Sequence, residues 1–379
     1  MRNGLTVLGG LALLFLPVAV AGKEPKDPLA GLDLTQRYLV TECGYSADCI
    51  QKVLNPAGAA GYRFATGDLS ESEDDSGHSA DILVLMEKAG EGNPTYQYIK
   101  SPRTAEGLNE AASRGFRLVP HFPLERWVDR GVIGPRLSLG GGIEQIKLML
   151  MEKPSNSGLR YQYLVFSASR LFRGPKVSEL FPEMEKAVNE GFEIVQLRKT
   201  GHGYIMVLKK TINGDSGPLP KPADASTSDG LPRYRLLTAW KPPDLQKELA
   251  AATGYRAVAA DLDGPHGPYY LLLEEVPGSS RVYEYVVPEG LGMGTLEKNI
   301  NEAAAKGFRL HPFTRSGVVL FVLMERRSDS AAFYQYQILQ TVRFSAIRKE
   351  LAEAARKGFA VVVALRGSPG YALILERPR

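Results

Sequence analysis

The sequence predicts an α+β fold made of six tandem β-α-β-β repeats, with mainly antiparallel sheets and with helices packed on one face. The main observation is a glycine–aromatic pair that follows an alanine-containing helical segment and precedes a strand. A second observation is that the copies lie between the same two kinds of β-segment. A pattern that recurs along a chain indicates repeated structural units. The six copies are Gly61-Tyr62, Gly115-Phe116, Gly191-Phe192, Gly254-Tyr255, Gly307-Phe308 and Gly358-Phe359.

Each repeat opens with a segment in which tyrosines alternate with other residues. Alternation with a period of two predicts a strand that buries one face. The weaker copies are Arg37-Tyr38-Leu39-Val40 and Tyr234-Arg235-Leu236-Leu237. The clear copies are Tyr96-Gln97-Tyr98-Ile99, Tyr161-Gln162-Tyr163-Leu164, Tyr283-Glu284-Tyr285-Val286 and Tyr334-Gln335-Tyr336-Gln337.

The middle of each repeat predicts an amphipathic helix that ends at the glycine. Leu296, Ile300, Ala303, Ala304 and Gly307 have the spacing of one helix face. Glycine adopts the left-handed conformation that ends many helices without a Cβ penalty. The aromatic residue after it is expected to be the first core residue beyond the helix. The repeated pair is therefore interpreted as structural rather than catalytic.

A short second strand and a strongly apolar third strand complete the repeat. Third strands are predicted at residues 82–88, 148–153, 205–210, 271–275, 320–326 and 373–377. Such continuous apolar runs are typical of strands that are covered on both faces. The short connection from Arg326 to Tyr334 favours a meander in which the next repeat continues the same sheet. Because a unit of about 50 residues is only marginally stable alone, neighbouring repeats are expected to share sheets or to pack helix layers together.

The chain is divided by a segment of different composition. Residues 34–211 are interpreted as repeats one to three, and residues 234–379 as repeats four to six. Residues 212–233 between them are rich in Pro, Gly and Ser, which is typical of a linker. This division predicts two globular halves, although repeats could equally pair across the linker.

The first 21 residues predict export. They contain one early cation, Arg2, then an uncharged run from Leu5 to Val20 and a small residue at Ala21. This order is typical of a cleavable signal peptide, so a periplasmic or secreted protein cut after Ala21 is expected. A single membrane anchor is the alternative, and no stable membrane span is predicted once the leader is removed.

The charge does not favour a nucleic-acid partner. The net charge of +4 falls to +3 without Arg2 (4 − 1), and basic residues are spread along the chain among acidic ones. Nucleic-acid binding calls for basic residues that are gathered on one face.

Two cysteines, Cys43 and Cys49, lie close together in repeat one. An oxidising compartment would allow them to pair. Their spacing is not that of a thioredoxin-like redox motif, so a structural disulfide is predicted. Two free thiols are the alternative.

At this point the repeat resembles a bacterial family known as the domain of unknown function 4177. The residues that carry the likeness are Tyr283-Glu284-Tyr285-Val286-Val287, residues 301–310 and Val322-Leu323-Met324-Glu325-Arg326. Members of that family open with a tyrosine-rich strand, have a helix that ends in glycine and an aromatic residue, and close with an apolar strand that ends in Lys or Arg. They typically have tryptophan after the glycine, where this chain has phenylalanine or tyrosine. The resemblance implies the β-α-β-β unit and provides no catalytic residues.

Candidate metal ligands are few. The acidic stretch from Asp68 to Asp81 lacks the spacing of a calcium-binding EF-hand and is interpreted as a mobile loop. A histidine metal cluster would require the turns between strands two and three to gather at one end. Solvent-exposed loop histidines are the favoured interpretation, so neither a metal site nor a cofactor is predicted. The five histidines are His78, His121, His202, His266 and His311.

The longest loop inside a repeat runs from Pro120 to Gln145. Long loops in compact domains are often functional, so this loop is the candidate interaction surface. A disordered hairpin extension is the alternative. Its candidate residues are His121, Glu125, Arg126, Trp127, Asp129 and Arg130.

The sequence contains no nucleophile elbow, phosphate loop or zinc-protease helix, and no catalytic residue is predicted. Repetition of a packing motif creates an extended surface. This favours an exported, non-catalytic binding or scaffold module whose partner is another protein or a component of the cell envelope. The alternative is a hydrolase with a site between repeats or between the two halves, where clefts often hold ligands.

Overall fold

We describe the protein from a computed structural model. The structure describes residue 29 and residues 33–379, apart from residues 45–46, 73–78, 91, 93, 120–147, 170–176, 201–202, 213–232, 263–267, 277–281, 291, 312–321, 331, 342–343 and 367–370.

The fold is α+β, and the described residues form six repeats of three strands and one helix, as predicted. Repeat one contains β1 (Tyr38–Gly44), α1 (Ala47–Ala59), β2 (Tyr62–Ser72) and β3 (Ser79–Lys88); repeat two contains β4 (Tyr96–Pro102), α2 (Ala105–Ser113), β5 (Arg117–Leu118) and β6 (Leu148–Pro154). Repeat three contains β7 (Tyr161–Ser169), a 3₁₀ turn (Val177–Leu180), α3 (Phe181–Asn189), β8 (Glu193–Thr200) and β9 (Gly203–Thr211). Repeat four contains β10 (Tyr234–Ala239), α4 (Pro242–Ala250), β11 (Tyr255–Leu262) and β12 (Tyr269–Glu275). Repeat five contains β13 (Tyr283–Val286), α5 (Met293–Ala304), β14 (Arg309–Leu310) and β15 (Met324–Arg327); repeat six contains β16 (Tyr334–Thr341), α6 (Phe344–Arg356), β17 (Ala360–Arg366) and β18 (Tyr371–Pro378).

Each repeat forms its own three-stranded sheet. The third strand is central and is antiparallel to the first and second strands, as in the order β1-β3-β2 of repeat one. The predicted meander is therefore wrong. Both edges of each third strand are already paired within its own repeat, so this strand has no edge with which to continue into the next sheet.

The helices end as the glycine–aromatic pair predicts. All six glycines have positive φ, for example 84° at Gly61 and 88° at Gly307. In repeats two, three, five and six the amide of the following phenylalanine then bonds back into the last helical turn, as Phe308 N–H does to the carbonyl of Ala303 at 3.2 Å. This pattern is the Schellman motif. The aromatic side chains that follow all six glycines are buried, from Tyr62 to Phe359.

The cation that ends the third strand stacks over this aromatic ring. In repeat five the guanidinium of Arg326 lies 4.8 Å from the ring centre of Phe308, and in repeat six Arg377 lies at the same distance from Phe359. Lys88, Lys153 and Lys210 have the same role. The charged end of the third strand therefore covers the helix end of its own repeat.

The described part of the hydrophobic core consists of six clusters, and each cluster joins two consecutive repeats. Val84 and Met86 of repeat one pack with Tyr98 of repeat two, and the clusters continue in the same way to repeats five and six. The last cluster joins repeat six back to repeat one through Leu351, Leu375, Tyr38 and Leu85. The six repeats therefore close into a ring. We call each contact between consecutive repeats a seam.

Each sheet is covered on both faces, as the apolar third strands predict. In β12, Leu271 and Leu273 face the seam with repeat five, whereas Tyr270 and Leu272 face the seam with repeat three. The helix of each repeat packs on one face of its own sheet, and the preceding repeat packs against the other face.

Two predicted segments fall partly outside the described residues. The predicted linker has only its two ends described, and the core cluster that includes Met184, Tyr234 and Tyr270 joins repeats three and four across it. The predicted acidic loop is partly strand, because Asp68–Ser72 belong to β2 and Ser79–Asp81 belong to β3.

Candidate binding groove at the seam between repeats six and one

Repeats two, three, five and six have a second tyrosine in the first strand, and this tyrosine lies at a seam. The hydroxyl of Tyr336 in repeat six accepts a hydrogen bond from the amide of Leu310 in repeat five at 2.8 Å. It donates to the carboxylate of Glu376 in its own repeat at 2.6 Å. Tyr98, Tyr163 and Tyr285 accept from strand two of the preceding repeat in the same way, at 2.7 Å each. Burial raises the pKa of these hydroxyls, so they remain protonated donors.

In repeats five and six a glutamate near the end of the third strand accepts a hydrogen bond from this tyrosine. Glu152 is buried and binds Arg63 of repeat one at 3.0 Å and Arg117 of its own repeat at 2.7 Å. Glu376 binds Arg309 of repeat five at 2.8 Å. The tyrosine, glutamate and arginine therefore form a polar clasp that ties one repeat to the next.

Repeat three carries the opposite charges at these positions. Glu193 occupies the position of Arg309 in strand two, and Lys209 occupies the position of the glutamate. The two side chains form an ion pair of 3.7 Å within the repeat.

Side-chain amides from the helices protect the outer edge of the first strands. The amide of Asn109 in α2 accepts from Tyr163 N–H at 2.7 Å and donates to Tyr163 C=O at 2.9 Å. Asn301 in α5 makes the same pair of bonds to Tyr336, at 2.9 Å each. Asn55 accepts from Tyr98 N–H, and Gln246 bonds the backbone of Tyr285 and Val287. The helix amide thus takes the place of one residue of an additional strand.

The seam between repeats six and one lacks this amide. Asn55, Asn109 and Asn301 each lie six positions before the glycine of their repeat. Repeats three and four have a glutamate at this position, and repeat six has Ala352, whose methyl group offers no hydrogen bond. In the β1–β3 ladder Tyr38 faces Glu87 and the carbonyl of Arg37 accepts from Lys88 N–H, so the N–H and C=O of Tyr38 point away from β3. They point toward α6.

A groove of about 460 Å³ lies at this place, between β1 and α6. Its size is within the range of pockets that hold small ligands or a short extended segment. The next outward carbonyl of β1, that of Val40, accepts from Arg348 Nε at 3.1 Å. This bond occupies the outward carbonyl of Val40, so the open part of the β1 edge is at Tyr38.

The charged side chains that line the groove are mainly cationic. They are Arg37, Arg348, Lys349 and Arg356, and Asp33 is the one carboxylate among the described lining residues. Arg37 also pairs with Glu87 at 2.7 Å, where both side chains are more than a third exposed. Asp33 accepts hydrogen bonds from the hydroxyl and amide of Thr35 and from Gln36, which lower its pKa to about 2 and keep it ionised.

A second cleft, of about 530 Å³, lies between repeats five and six. It contains His311, whose Nε2 atom lies 3.7 Å from Oε2 of Glu325. Burial lowers the pKa of His311 to about 4, so its ring is neutral at pH 7. Burial also raises the pKa of Glu325, which accepts a hydrogen bond from the hydroxyl of Tyr285 at 3.0 Å. Arg309 and Glu376 of the polar clasp line the same cleft.

The predicted site residues are mostly outside the part of the chain that the structure describes. The candidate interaction loop, with His121, Glu125, Arg126, Trp127, Asp129 and Arg130, lies within residues 120–147. Cys43 lies in β1 and Cys49 in α1, and their side chains are not described, so the disulfide stays a prediction. His311 is the one histidine whose surroundings are described, and it is buried in a cleft rather than exposed in a loop.

Sequence reasoning missed both the polar clasp and the groove. The glutamate and arginine positions recur in the sequence beside the packing motif, so a comparison of the polar positions between repeats would have found them. The same comparison would have shown that Ala352 replaces an asparagine.

Comparison with protein-family models, curated proteins and solved structures finds no match for this chain. Among the described residues, no helix is both long enough and apolar enough to span a membrane. No group of three or more potential metal-binding side chains is found in the same described part.

Proposed function

We propose that this chain is an exported, non-catalytic module of the cell envelope that binds a partner protein at the groove between repeats six and one. The observation that carries the proposal is the replacement of the edge-protecting amide by Ala352, next to a groove of about 460 Å³. An open strand edge is a ready site for another chain.

The polar groups at the other seams support a non-catalytic role. The Glu376 carboxylate binds the Tyr336 hydroxyl of its own repeat and the Arg309 guanidinium of repeat five across the seam. These contacts hold neighbouring repeats together, and each of these groups is already bonded to another group of the same chain. Export and cleavage after Ala21 are also part of the proposal, and they are inferred from the sequence of the first 21 residues.

Site-specific photo-cross-linking in the producing cell tests the proposal. A photoreactive phenylalanine analogue replaces Glu353, which is exposed on α6 beside the groove, or Glu302, which has the same position in repeat five. We expect adducts with a partner protein from position 353 that Ala352→Asn abolishes, because the new amide would bond Tyr38 as Asn109 bonds Tyr163. Position 302 should give none of these adducts.

A second variant separates the groove from the predicted interaction loop. In it, residues 124–141 are replaced by a short Gly-Ser linker. Adducts that persist in the loop variant and disappear with Ala352→Asn support the groove. Adducts that are unaffected by Ala352→Asn would contradict the proposal.

A hydrolase is the second candidate function, and the cleft with His311 and Glu325 favours it. A neutral imidazole beside a carboxylate has the composition of an acid–base pair, and perturbed pKa values in a cleft are a common feature of active sites. The test is a panel of chromogenic esters, phosphates and glycosides, with His311→Asn as the control. Turnover that disappears in His311→Asn would support a hydrolase, and equal background rates in both proteins would exclude one for these substrates.

A further inference from the structure

The groove between repeats six and one has a specific hydrogen-bonding pattern. At two other seams the asparagine amide gives one acceptor to a backbone N–H and one donor to a backbone C=O of the same tyrosine. The backbone of Tyr38 presents the same N–H and C=O to the groove, because its register in the β1–β3 ladder matches that of those tyrosines. A ligand that replaces the asparagine must therefore offer both an acceptor and a donor, as a peptide group does.

The charges around the groove select among peptides. Lys349 and Arg356 are exposed on α6, one turn before and one turn after Ala352. Arg348, also on α6, and Arg37, beside β1, add positive charge, and Asp33 is the one carboxylate among the described lining residues. Complementary charge steers association and favours acidic partners.

From these observations we propose that the groove binds an extended, acidic peptide segment of a partner protein, which adds to the edge of β1 at Tyr38. Its backbone pairs with the N–H and C=O of Tyr38, and its Asp or Glu side chains meet Lys349 and Arg356. This mode is β-augmentation, in which main-chain bonds give affinity and flanking side chains give specificity. The inference rests on the proposed function, because it names the chemistry of the partner at the same groove.

Three synthetic peptides of the same length test both parts of the proposal. The first alternates Asp with Val, the second has Asn in place of each Asp, and the third is the acidic peptide with an N-methyl group on every backbone nitrogen. Binding of fluorescent peptides to the mature chain is followed by anisotropy at two salt concentrations. We expect the acidic peptide to bind at least about tenfold more tightly than the Asn peptide and to weaken at high salt. The N-methylated peptide should lose binding because it cannot donate to the Tyr38 carbonyl.

Protein variants locate the binding to the groove. Ala352→Asn should abolish binding because its amide would occupy the Tyr38 backbone. Lys349→Glu should weaken binding of the acidic peptide by about tenfold. Lys298→Glu is the matched control, since Lys298 has the same position relative to the glycine in repeat five, where Asn301 fills the seam. It should bind as the unmodified chain does. Because Lys349 is exposed, its variant keeps the test valid even where Ala352→Asn perturbs folding.

The outcomes separate the two proposals. Equal binding of the acidic and N-methylated peptides would overturn the inference, because attraction to any anionic polymer would then explain the binding. A concentration-dependent dimer that Ala352→Asn abolishes would assign the groove to a second copy of the chain and would also overturn it. If the peptides do not bind while cross-linking at position 353 still depends on Ala352, the partner chemistry is wrong and the binding function stands.

Discussion

At the scale of single residues, the seams depend on side chains that satisfy backbone groups of the neighbouring repeat. Asn109 bonds both backbone groups of Tyr163, and the Tyr163 hydroxyl in turn accepts from Leu118 N–H at 2.7 Å. Leaving a buried donor or acceptor without its partner costs more than a hydrogen bond contributes on average. Removing one of these side chains should therefore lower the free energy of unfolding by more than the loss of an average hydrogen bond.

Asn109→Ala tests the role of the helix amides. We expect the free energy of unfolding to fall by about 1–3 kcal/mol, because the partly buried N–H and C=O of Tyr163 lose their partner. Urea unfolding followed by circular dichroism measures the change. Glu110→Ala, at an exposed neighbouring position on α2, is the control and should change stability by less than about 0.5 kcal/mol. Equal effects of the two substitutions would show that the amide has no special role.

The buried His311 predicts a dependence of stability on pH. Its pKa is about 4 in the fold and 6.5 in the unfolded reference. Between these values the unfolded chain binds a proton that the folded chain does not, so stability is full above pH 6.5 and falls as the pH decreases toward 4. The total loss from this group is about 3 kcal/mol.

The measurement is urea unfolding at intervals from pH 7 to pH 4.5 for the native chain and for His311→Asn. The raised pKa of Glu325 acts in the opposite direction, since stability that depends on its protonated form is lost as the pH rises through that pKa. The difference between the two proteins in the free energy of unfolding at each pH gives the contribution of the histidine. Parallel pH profiles would show that His311 is not buried in its neutral form.

At the scale of elements, the helix ends were the most predictable part of the fold. Each glycine–aromatic pair becomes a left-handed turn followed by a buried ring. The reason is local, because the turn needs a residue without Cβ and the Schellman bond joins residues five positions apart.

Gly61→Ala tests this element. A Cβ at Gly61 would contact no atom within 4 Å, but its φ of 84° is unfavourable for alanine. We expect the melting temperature to fall with a loss of about 1 kcal/mol. Gly294→Ala, near the start of α5, also has no neighbour within 4 Å and lacks a positive φ, so it should be neutral or slightly stabilising. If both variants melt alike, backbone conformation does not decide the choice of glycine.

The strand order was less predictable because it depends on contacts between distant residues. The short connection from Arg326 to Tyr334 predicts a meander, but β15 is already paired with β13 and β14 when the chain reaches β16. Likewise, the sequence predicts a shared core for neighbouring repeats from their small size, yet nothing local to Leu351 indicates that it packs against Tyr38 at the other end of the chain. The groove at Ala352 follows from that long-range contact, so it could not be predicted before the ring was known.

At the scale of the whole molecule, closure of the ring removes terminal repeats. In an open array the end repeats expose one face, whereas here each described repeat has two seams. Stability is therefore shared around the ring, and damage at one seam should reduce the stability of the whole chain.

Leu351→Ala and Leu108→Ala test this coupling. Both side chains are buried, Leu351 at the seam between repeats six and one and Leu108 at the seam between repeats two and three. We expect each substitution to cost about 2–5 kcal/mol and to leave a single unfolding transition. Circular dichroism and differential scanning calorimetry should agree on one midpoint. An early partial transition that appears only with Leu351→Ala would mean that the ring opens independently at that seam.

The inverted charges of repeat three change how this repeat is held in the ring. Arg117 of repeat two, which precedes repeat three, forms its ion pair with Glu152 of its own repeat. The pair formed by Glu193 and Lys209 likewise stays within repeat three. The described contacts at the seam between repeats two and three are therefore hydrogen bonds, such as that of the Tyr163 hydroxyl, and apolar packing, so high salt should weaken this seam less than those with an Arg–Glu pair between repeats.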